Sequence, residues 1–351
     1  MRMVLRAMMI AAALAATTAA GAAVAGAPKP LFASDEMIHV TVKGPILSLP
    51  RSKTASGQEA PGTLTVQGAA PETLPITLSL RGITRRTQDV CSFPPLRVDF
   101  GEKVGGKSLF KGQKRLKLVT HCQSAPSFQQ NLLLEYTAYR LYNRLTPLSF
   151  LARLAMVDYV DEKGRPIVSR LGFFLEDADD VAKRNDLERI RLQGRVPVSS
   201  LSPRDAARFA LFEDLISNLD WAMTAGPAGT DCCHNSRLLG PKGATSNLIP
   251  VPYDFDYSGM VDAPYAVPPT GINLPNVRAR RYRGFCRHNA ESQAAATDFL
   301  GQRAALIAIL GGTPRLEDGN VKKAAAYLNG FFDQLAGAQG LAAIQKTCLA
   351  G

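Results

Sequence analysis

The amino-acid sequence predicts an α+β fold, because strand periodicity fills the first half of the chain and helical periodicity dominates the last third. Apolar and polar residues alternate over residues 36–49 and 63–81, and a period of two is typical of β-strands. From Ser127 to Leu145 the apolar residues recur at helical spacing instead. Strands, one helix, more strands and then mainly helices are the order of an α+β protein.

The remaining elements follow from the same patterns and from turn residues. The sequence predicts that the helix after Ser127, its capping residue, ends at Thr146-Pro147. A second helix begins near Ser202-Pro203 and carries a buried stripe that includes Phe209 and Phe212. The predicted strands cover residues 96–100, 115–120, 152–159, 167–175, 236–239 and 248–252, and the other helices cover residues 202–219, 290–310 and 320–337.

Composition excludes two classes of protein and favours anionic partners. With 351 residues and 46% hydrophobic side chains, the chain has enough apolar material for a core and is not a disordered polypeptide. Six cysteines in this length are too few for a small disulfide scaffold. The formal net charge of +11 favours anionic ligands or surfaces. No nucleic-acid-binding motif accompanies the charge, so we expect no nucleic acid as a partner.

Residues 1–27 have the features of a cleaved signal peptide. Arg2 and Arg6 precede an apolar, alanine-rich stretch that ends in small residues. The alternative is a membrane anchor, since a stretch of this length can span a bilayer. The weak hydrophobicity of alanine and glycine favours export, and we therefore expect a periplasmic or secreted protein without stable membrane insertion.

Export would place the cysteines in an oxidising compartment, where disulfides form. The sequence favours a Cys91–Cys122 bond, with Cys232 and Cys233 bonded to Cys286 and Cys348 because adjacent cysteines rarely bond to each other. Zinc binding with help from a histidine is the alternative, and the absence of CxxC spacing weighs against it.

Four polar motifs indicate chemistry. In a strand, Asp254 and Asp256 would point to one face, and paired carboxylates are typical Mg²⁺ ligands. Asn235 would add an amide oxygen from a neighbouring strand, and Asp220 would orient an attacking hydroxyl. A strand lysine from the Lys114–Lys117 segment and a helix glutamate are the arrangement that binds nucleotide phosphates in kinases. A solvated strand end is the simpler interpretation of each motif taken alone.

Together these motifs resemble the spore coat protein H (CotH) kinase family of secreted, atypical kinases. The similarity covers residues 75–262 and rests on the following segments: LSLRG (78–82), LRVDF (96–100), KRLKLVTH (114–121), LGFFLEDADD (171–180), ISNLDW (216–221), HNSRLL (234–239) and IPVPYDFDYSG (249–259). The resemblance implies a protein-kinase-like bilobal fold. Its β-rich N-lobe would cover residues 71–180 after a β-rich lead-in at residues 28–70, and its α-rich C-lobe would cover residues 181–351.

The resemblance also implies roles for nine residues. Asp220 would be the catalytic aspartate. The metal, Mg²⁺ or Mn²⁺, would be held by Asn235, Asp254 and Asp256. The ATP-binding residues would be Lys117 (or Lys114), its ion-pair partner Glu135, Glu176 near the adenine, and Arg97, a phosphate ligand that cannot act as a base.

These roles predict an exported kinase that transfers a phosphoryl group from a nucleotide to a protein or glycan hydroxyl. Two alternatives stay open. One is a non-catalytic module that binds an anionic envelope component, and the other is a metal-assisted hydrolase that uses the same carboxylates to activate water. The segment 81–95 is not a regular glycine-rich phosphate loop, and Arg85 and Arg86 would have to supply charge there instead.

Overall fold

A computed structural model of the chain describes residues 26–51 and 58–350. Nearly all of the predicted signal peptide lies outside these residues. The described part contains ten β-strands and six α-helices. The strands are β1 (Ile38–Lys43), β2 (Glu59–Val66), β3 (Glu72–Leu80), β4 (Leu96–Asp99), β5 (Arg115–Val119), β6 (Ala152–Val160), β7 (Pro166–Leu175), β8 (Glu188–Ile190), β9 (Ser236–Gly240) and β10 (Ile249–Pro252). The helices are α1 (Pro126–Leu145), α2 (Ala178–Arg184), α3 (Pro203–Ile216), α4 (Asn289–Gly311), α5 (Asp318–Ala336) and α6 (Gly340–Ile344).

The first seven strands form a closed barrel in the order β1-β2-β3-β4-β5-β7-β6. Consecutive neighbours pair antiparallel, and the barrel closes where β1 runs parallel to β6, with Val40 opposite Val157. Closure means that, within the described residues, this barrel has no edge strand that could pair with a second chain. Alternate residues of the strands fill the interior, among them the fully buried Leu64, Leu78 and Val98.

This barrel shows that the kinase-like bilobal architecture is wrong. The sheet is closed rather than forming a kinase-type N-lobe, and strands from the predicted lead-in and from residues 71–180 pair side by side in it. Ala60 on β2, for example, lies opposite Leu78 on β3. The α+β description with an N-lobe and a C-lobe is therefore replaced by a barrel, followed by helices and a small sheet.

The second half of the chain packs helices around a separate apolar core. Phe212 on α3 and Phe331 on α5 are fully buried there, and α1 from the barrel half joins the same cluster. A three-stranded antiparallel sheet, ordered β10-β9-β8, lies beside α3. Its strands bring the segments around Asn235 and Tyr253 next to one another, since the backbone N–H of Tyr253 donates to the Asn235 carbonyl at 3.1 Å.

Most elements lie close to their predicted positions, and the differences have local causes. The stretch from residue 63 to 81 contains a turn at residues 67–71 that divides β2 from β3. Ala125 rather than Ser127 is the N-cap of α1, because Pro126 occupies the first helical position. The acidic segment after β7 forms a short helix, and Asp177 caps α2 by accepting from the Asp179 N–H at 2.9 Å.

Three disulfides link the six cysteines, as is typical of exported proteins. The Cys91–Cys122 pairing is confirmed. The other predicted pairing is wrong: Cys286 bonds to Cys348, and the adjacent Cys232 and Cys233 bond to each other. The helices within the described residues lack a segment of the length and apolarity needed to cross a membrane.

Candidate functional site

The Asp254-Phe255-Asp256 motif lies in a turn directly after β10, not in a strand. Asp254 has φ = 71°, and this left-handed conformation is uncommon for a residue with a side chain. The Phe255 ring is fully buried between Tyr139 of α1 and Phe212 of α3, with ring centroids 4.7 and 5.5 Å away. The Tyr139 hydroxyl also accepts the Asp254 N–H at 2.8 Å. Packing of Phe255 and this hydrogen bond fix the two carboxylates relative to α1.

Three carboxylates converge at this turn. Oxygen atoms of Glu135 on α1, Asp254 and Asp256 lie within 4.8 Å of one another, which forms a carboxylate cluster. The Arg85 guanidinium, from the loop between β3 and β4, contacts all three. Its distances are 3.1 Å to Asp256, 3.5 Å to Asp254 and 3.5 Å to Glu135. Arg81 adds a second positive charge, 3.8 Å from Asp254. The buried negative charges are therefore paired with guanidinium groups, as burial requires.

Burial and mutual repulsion give the carboxylates different proton affinities. Desolvation and the two neighbouring aspartates raise the pKa of Glu135 to about 8. Desolvation and Asp254 likewise raise the pKa of Asp256 to about 6. For Asp254, desolvation is outweighed by Arg81, Arg85 and Lys117, which lower its pKa below the ordinary value. Asp254 is therefore the carboxylate that stays ionised across the physiological range.

The carboxylate cluster has the donor chemistry of a divalent-cation site. Its candidate ligands are all oxygen atoms, as hard cations prefer, and Glu135 Oε1 and Asp254 Oδ1 are buried without a hydrogen bond to any described residue. A quarter of the Asp254 side chain remains exposed, whereas Glu135 and Asp256 are buried. The residues fit a metal ion, but the ion would share the carboxylates with Arg85.

A second polar group forms around Asp220 in the loop after α3. The His234 Nε2 atom lies 2.8 Å from Asp220 Oδ1, and the Asn235 side-chain amide donates to the Asp220 carbonyl and to Oδ2 at 2.7 and 3.1 Å. The Asn218 side chain accepts the Asp220 N–H at 3.1 Å. These contacts orient the Asp220 carboxylate, which is about 29% exposed. The hydrogen bond to Asp220 raises the pKa of His234.

A cationic cleft adjoins these carboxylates. It is a cavity of about 220 Å³. Five cations line it, and the carboxylates in its lining are Glu176 and Asp177; the cations are Arg97, Arg115, Lys117, Arg189 and Arg237. Lys117 Nζ lies 3.9 Å from the centre of the Tyr253 ring, and the Arg237 guanidinium lies 4.5 Å from the same ring. Tyr253 directly precedes Asp254, so this face of the cleft is continuous with the carboxylate turn.

The cations of the cleft repel one another. Burial together with Arg81 and Arg237 lowers the pKa of Lys117 well below its ordinary value. Burial together with Arg115 and Arg81 lowers the pKa of Arg97. Glu176 does not compensate this charge, because it forms an ion pair with Arg184 at 3.0 Å and accepts the Leu151 N–H at 3.0 Å. An anion in the cleft would relieve the repulsion.

The structure brings together most of the residues singled out from the sequence. The Asn235 side chain donates a hydrogen bond to Asp220. Arg85 bridges Asp254, Asp256 and Glu135. Lys117, Arg97 and Glu176 line one cavity. Two expectations differ from the observed contacts. The ion-pair partner of Glu135 is Arg85 rather than Lys117, and Lys114 is exposed and lines a neighbouring cavity.

The sequence indicates only a general contribution of charge for Arg85, and it indicates no role for Arg81 or Arg237. Arg81 precedes Gly82 in the RG motif, but the spacing of charges in RGITRR does not indicate which guanidinium reaches a carboxylate. His234 precedes Asn235 in the sequence, and this adjacency is the one sequence feature that indicates a position for His234 near the candidate site.

No protein-family model matches the chain, and no curated protein matches it in sequence. The resemblance to CotH kinases therefore stays a prediction carried by the motifs themselves.

Proposed function

We propose that the chain is an exported, metal-dependent phosphotransferase that uses motifs resembling those of CotH kinases, without a kinase-like bilobal architecture. The observation that carries the proposal is the cationic cleft of about 220 Å³ beside Asp254, in which Lys117, Arg97 and Arg237 take part in none of the ion pairs found among the described residues. A nucleoside triphosphate would supply anionic phosphates that offset the positive charge of this cleft. The phosphoryl acceptor is a hydroxyl of an exported protein or glycan, and the protein acts in the periplasm or outside the cell.

Different residues of the chain would bind the donor phosphates, hold the metal ion and accept the proton of the acceptor hydroxyl. Lys117 and Arg97 offset the negative charge of the donor phosphates. Asp254, with Asp256 and Glu135 behind it, would hold a divalent cation, and such a cation would help to neutralise the negative charge that develops during transfer. Asp220 orients the acceptor hydroxyl and takes its proton as the new P–O bond forms and the donor P–O bond breaks. His234 and Asn235 fix the orientation of the Asp220 carboxylate.

A non-catalytic anion-binding module is the second candidate. Arg85 favours it, because its guanidinium already neutralises the carboxylates that a catalytic metal would need. In that case the cleft would bind an anion without any requirement for a metal.

Thermal unfolding of the oxidised mature protein separates the two candidates. For the phosphotransferase we expect ATP with Mg²⁺ or Mn²⁺ to raise the melting temperature, since a ligand that binds only the folded state stabilises it. Lys117→Met and Asp254→Asn should both abolish the rise, and Lys111→Met, an exposed lysine outside the cleft, should keep it. A rise with ATP that is the same with EDTA, and that Asp254→Asn leaves intact, would replace the phosphotransferase by the binding module.

A further inference from the structure

The cationic cleft continues into two larger surface cavities. The first cavity, of about 350 Å³, has the lining residues Arg115 and Arg189 in common with the cleft. The second, of about 470 Å³, has the lining residues Lys183 and Arg191 in common with the first. Their shared walls make one groove that extends from Lys117 past α2 to the loop after β9. We call these three adjoining cavities the basic groove.

Positive charge exceeds negative charge along the basic groove. Among the described residues, eleven lysine and arginine side chains line it, against six carboxylates. Some of the cations are neutralised: Arg115 pairs with Asp99 at 2.7 Å, and Arg191 pairs with Asp179 at 3.1 Å. The exposed Lys114, Lys183 and Lys242 form none of the ion pairs found among the described residues. Their charges are available to a ligand.

The cations also repel one another along the groove. Burial together with Arg237 and Arg191 lowers the pKa of Arg189, the residue that lines all three cavities. A ligand with several anionic groups would relieve this repulsion at more than one point. A single small anion in the cleft would leave the two outer cavities uncompensated.

The mixture of charges indicates the class of polymer. Carboxylates such as Asp177 and Asp186 are hydrogen-bond acceptors, which suit the hydroxyl groups of a sugar chain. The same carboxylates would repel the closely spaced phosphates of a nucleic acid. Among the described lining residues, Phe150 is the one aromatic side chain, and it is only 3% exposed, so the groove lacks a platform on which bases would stack.

We propose that the two outer cavities of the basic groove bind an acidic polysaccharide, next to the cleft that the nucleotide would occupy. The role of this polysaccharide as the phosphoryl acceptor rests on the proposed function. Its binding does not, because the lysine and arginine side chains that line the two outer cavities would contact the polysaccharide directly.

Calorimetric titration of the oxidised mature protein with polygalacturonate oligomers, in EDTA and without nucleotide, tests the proposal. The triple variant Lys114→Glu, Lys183→Glu, Lys242→Glu should weaken binding at least about tenfold, because charge contacts dominate the affinity for a polyanion. The control is Lys322→Glu, Lys323→Glu, Lys346→Glu, which makes the same change of net charge at exposed lysines away from the groove. It should stay within about twofold of the wild type by the same electrostatic argument.

Three outcomes would overturn the groove assignment: equal weakening in both triple variants, equal binding of neutral dextran, or tighter binding of single-stranded DNA than of polygalacturonate. Failure of the proposed function has a different signature. Polygalacturonate would then bind and respond to the groove variant, but ATP with a metal would not change the melting temperature.

Discussion

Arg85 and Asp256 form a buried ion pair, with 3.1 Å between the Arg85 Nε atom and Asp256 Oδ2. The same oxygen accepts the Tyr265 hydroxyl at 3.1 Å. Arg85 belongs to the loop between two barrel strands, whereas Asp256 and Tyr265 belong to the helical half of the chain. This contact therefore joins the two halves directly at the candidate site.

We expect Arg85→Ala to lower the free energy of unfolding by about 3–5 kcal/mol, because removal of one partner leaves buried charges uncompensated. Urea unfolding measures the loss. Arg191→Ala, which removes an exposed ion pair with Asp179, should cost much less. Losses of equal size in the two variants would show that the carboxylate cluster is well solvated in the folded protein.

The raised pKa of Glu135 predicts how stability changes with pH. Its carboxyl titrates near 8 in the folded protein, against an ordinary value of 4.5, so between these values the folded state holds a proton that the unfolded state has lost. The free energy of unfolding should therefore fall as the pH rises through this window. Denaturant titrations of Glu135→Gln between pH 5 and 8 should show a weaker fall than those of the wild type.

The exposed Glu162→Gln is the matched control for that experiment. Its pH profile should parallel that of the wild type. If Glu135→Gln also gives a parallel profile, Glu135 is ionised throughout the window and its ion pair with Arg85 outweighs its burial.

Asp220 is expected to set the proton affinity of His234. The hydrogen bond between them raises the pKa of His234, so Asp220→Asn should lower that pKa, as followed by the NMR shift of the His234 Cε1–H group. For a histidine with a raised folded pKa, the associated stabilisation is present in acid and is lost as the pH rises through that pKa. His39, which contacts Asp158 on the barrel, is the internal control. An unchanged His234 titration would argue against a role for this hydrogen bond in orienting Asp220.

Local patterns predicted local structure well. The bounds of β4 and β7 lie within one residue of expectation, because alternation along a strand is a property of its own sequence. Closure of the barrel depends on the pairing of β1 with β6, more than a hundred residues later, and no local pattern encodes that choice. The motif resemblance could not supply it either, since its segments begin after β1 and β2.

The candidate site shows the same division between local and distant information. The spacing of Asp254 and Asp256 is enough to predict that their carboxylates lie close together. In the structure a turn rather than a strand brings them together, and Phe255 between them is buried. The partner of these carboxylates, Arg85, lies about 170 residues earlier in the chain. The position of Arg85 beside the carboxylates depends on the path of the loop after β3. The Cys91–Cys122 disulfide links this loop to the segment after β5.

The two longer-range disulfides should differ from the adjacent one in their effect on stability. A disulfide restricts the unfolded chain in proportion to the logarithm of the loop that it closes. Cys286–Cys348 spans 62 residues and Cys91–Cys122 spans 31, whereas Cys232–Cys233 spans one. Replacing both cysteines of a pair by serine should therefore lower the free energy of unfolding by about 4 kcal/mol for Cys286–Cys348 and slightly less for Cys91–Cys122.

Urea unfolding of the three double-serine variants measures this order. The Cys232 and Cys233 variant should lose the least, because the bond between neighbours removes almost no freedom from the unfolded chain. Backbone contacts also support the Cys286–Cys348 connection, since the Cys286 N–H donates to the Leu349 carbonyl at 2.9 Å and the Leu349 N–H donates to the Gly284 carbonyl at 2.8 Å. These hydrogen bonds hold the end of the chain against the start of α4, and loss of the disulfide should free both together. A larger loss for the adjacent pair than for Cys286–Cys348 would mean that burial of Cys232 and Cys233, rather than chain entropy, governs their contribution.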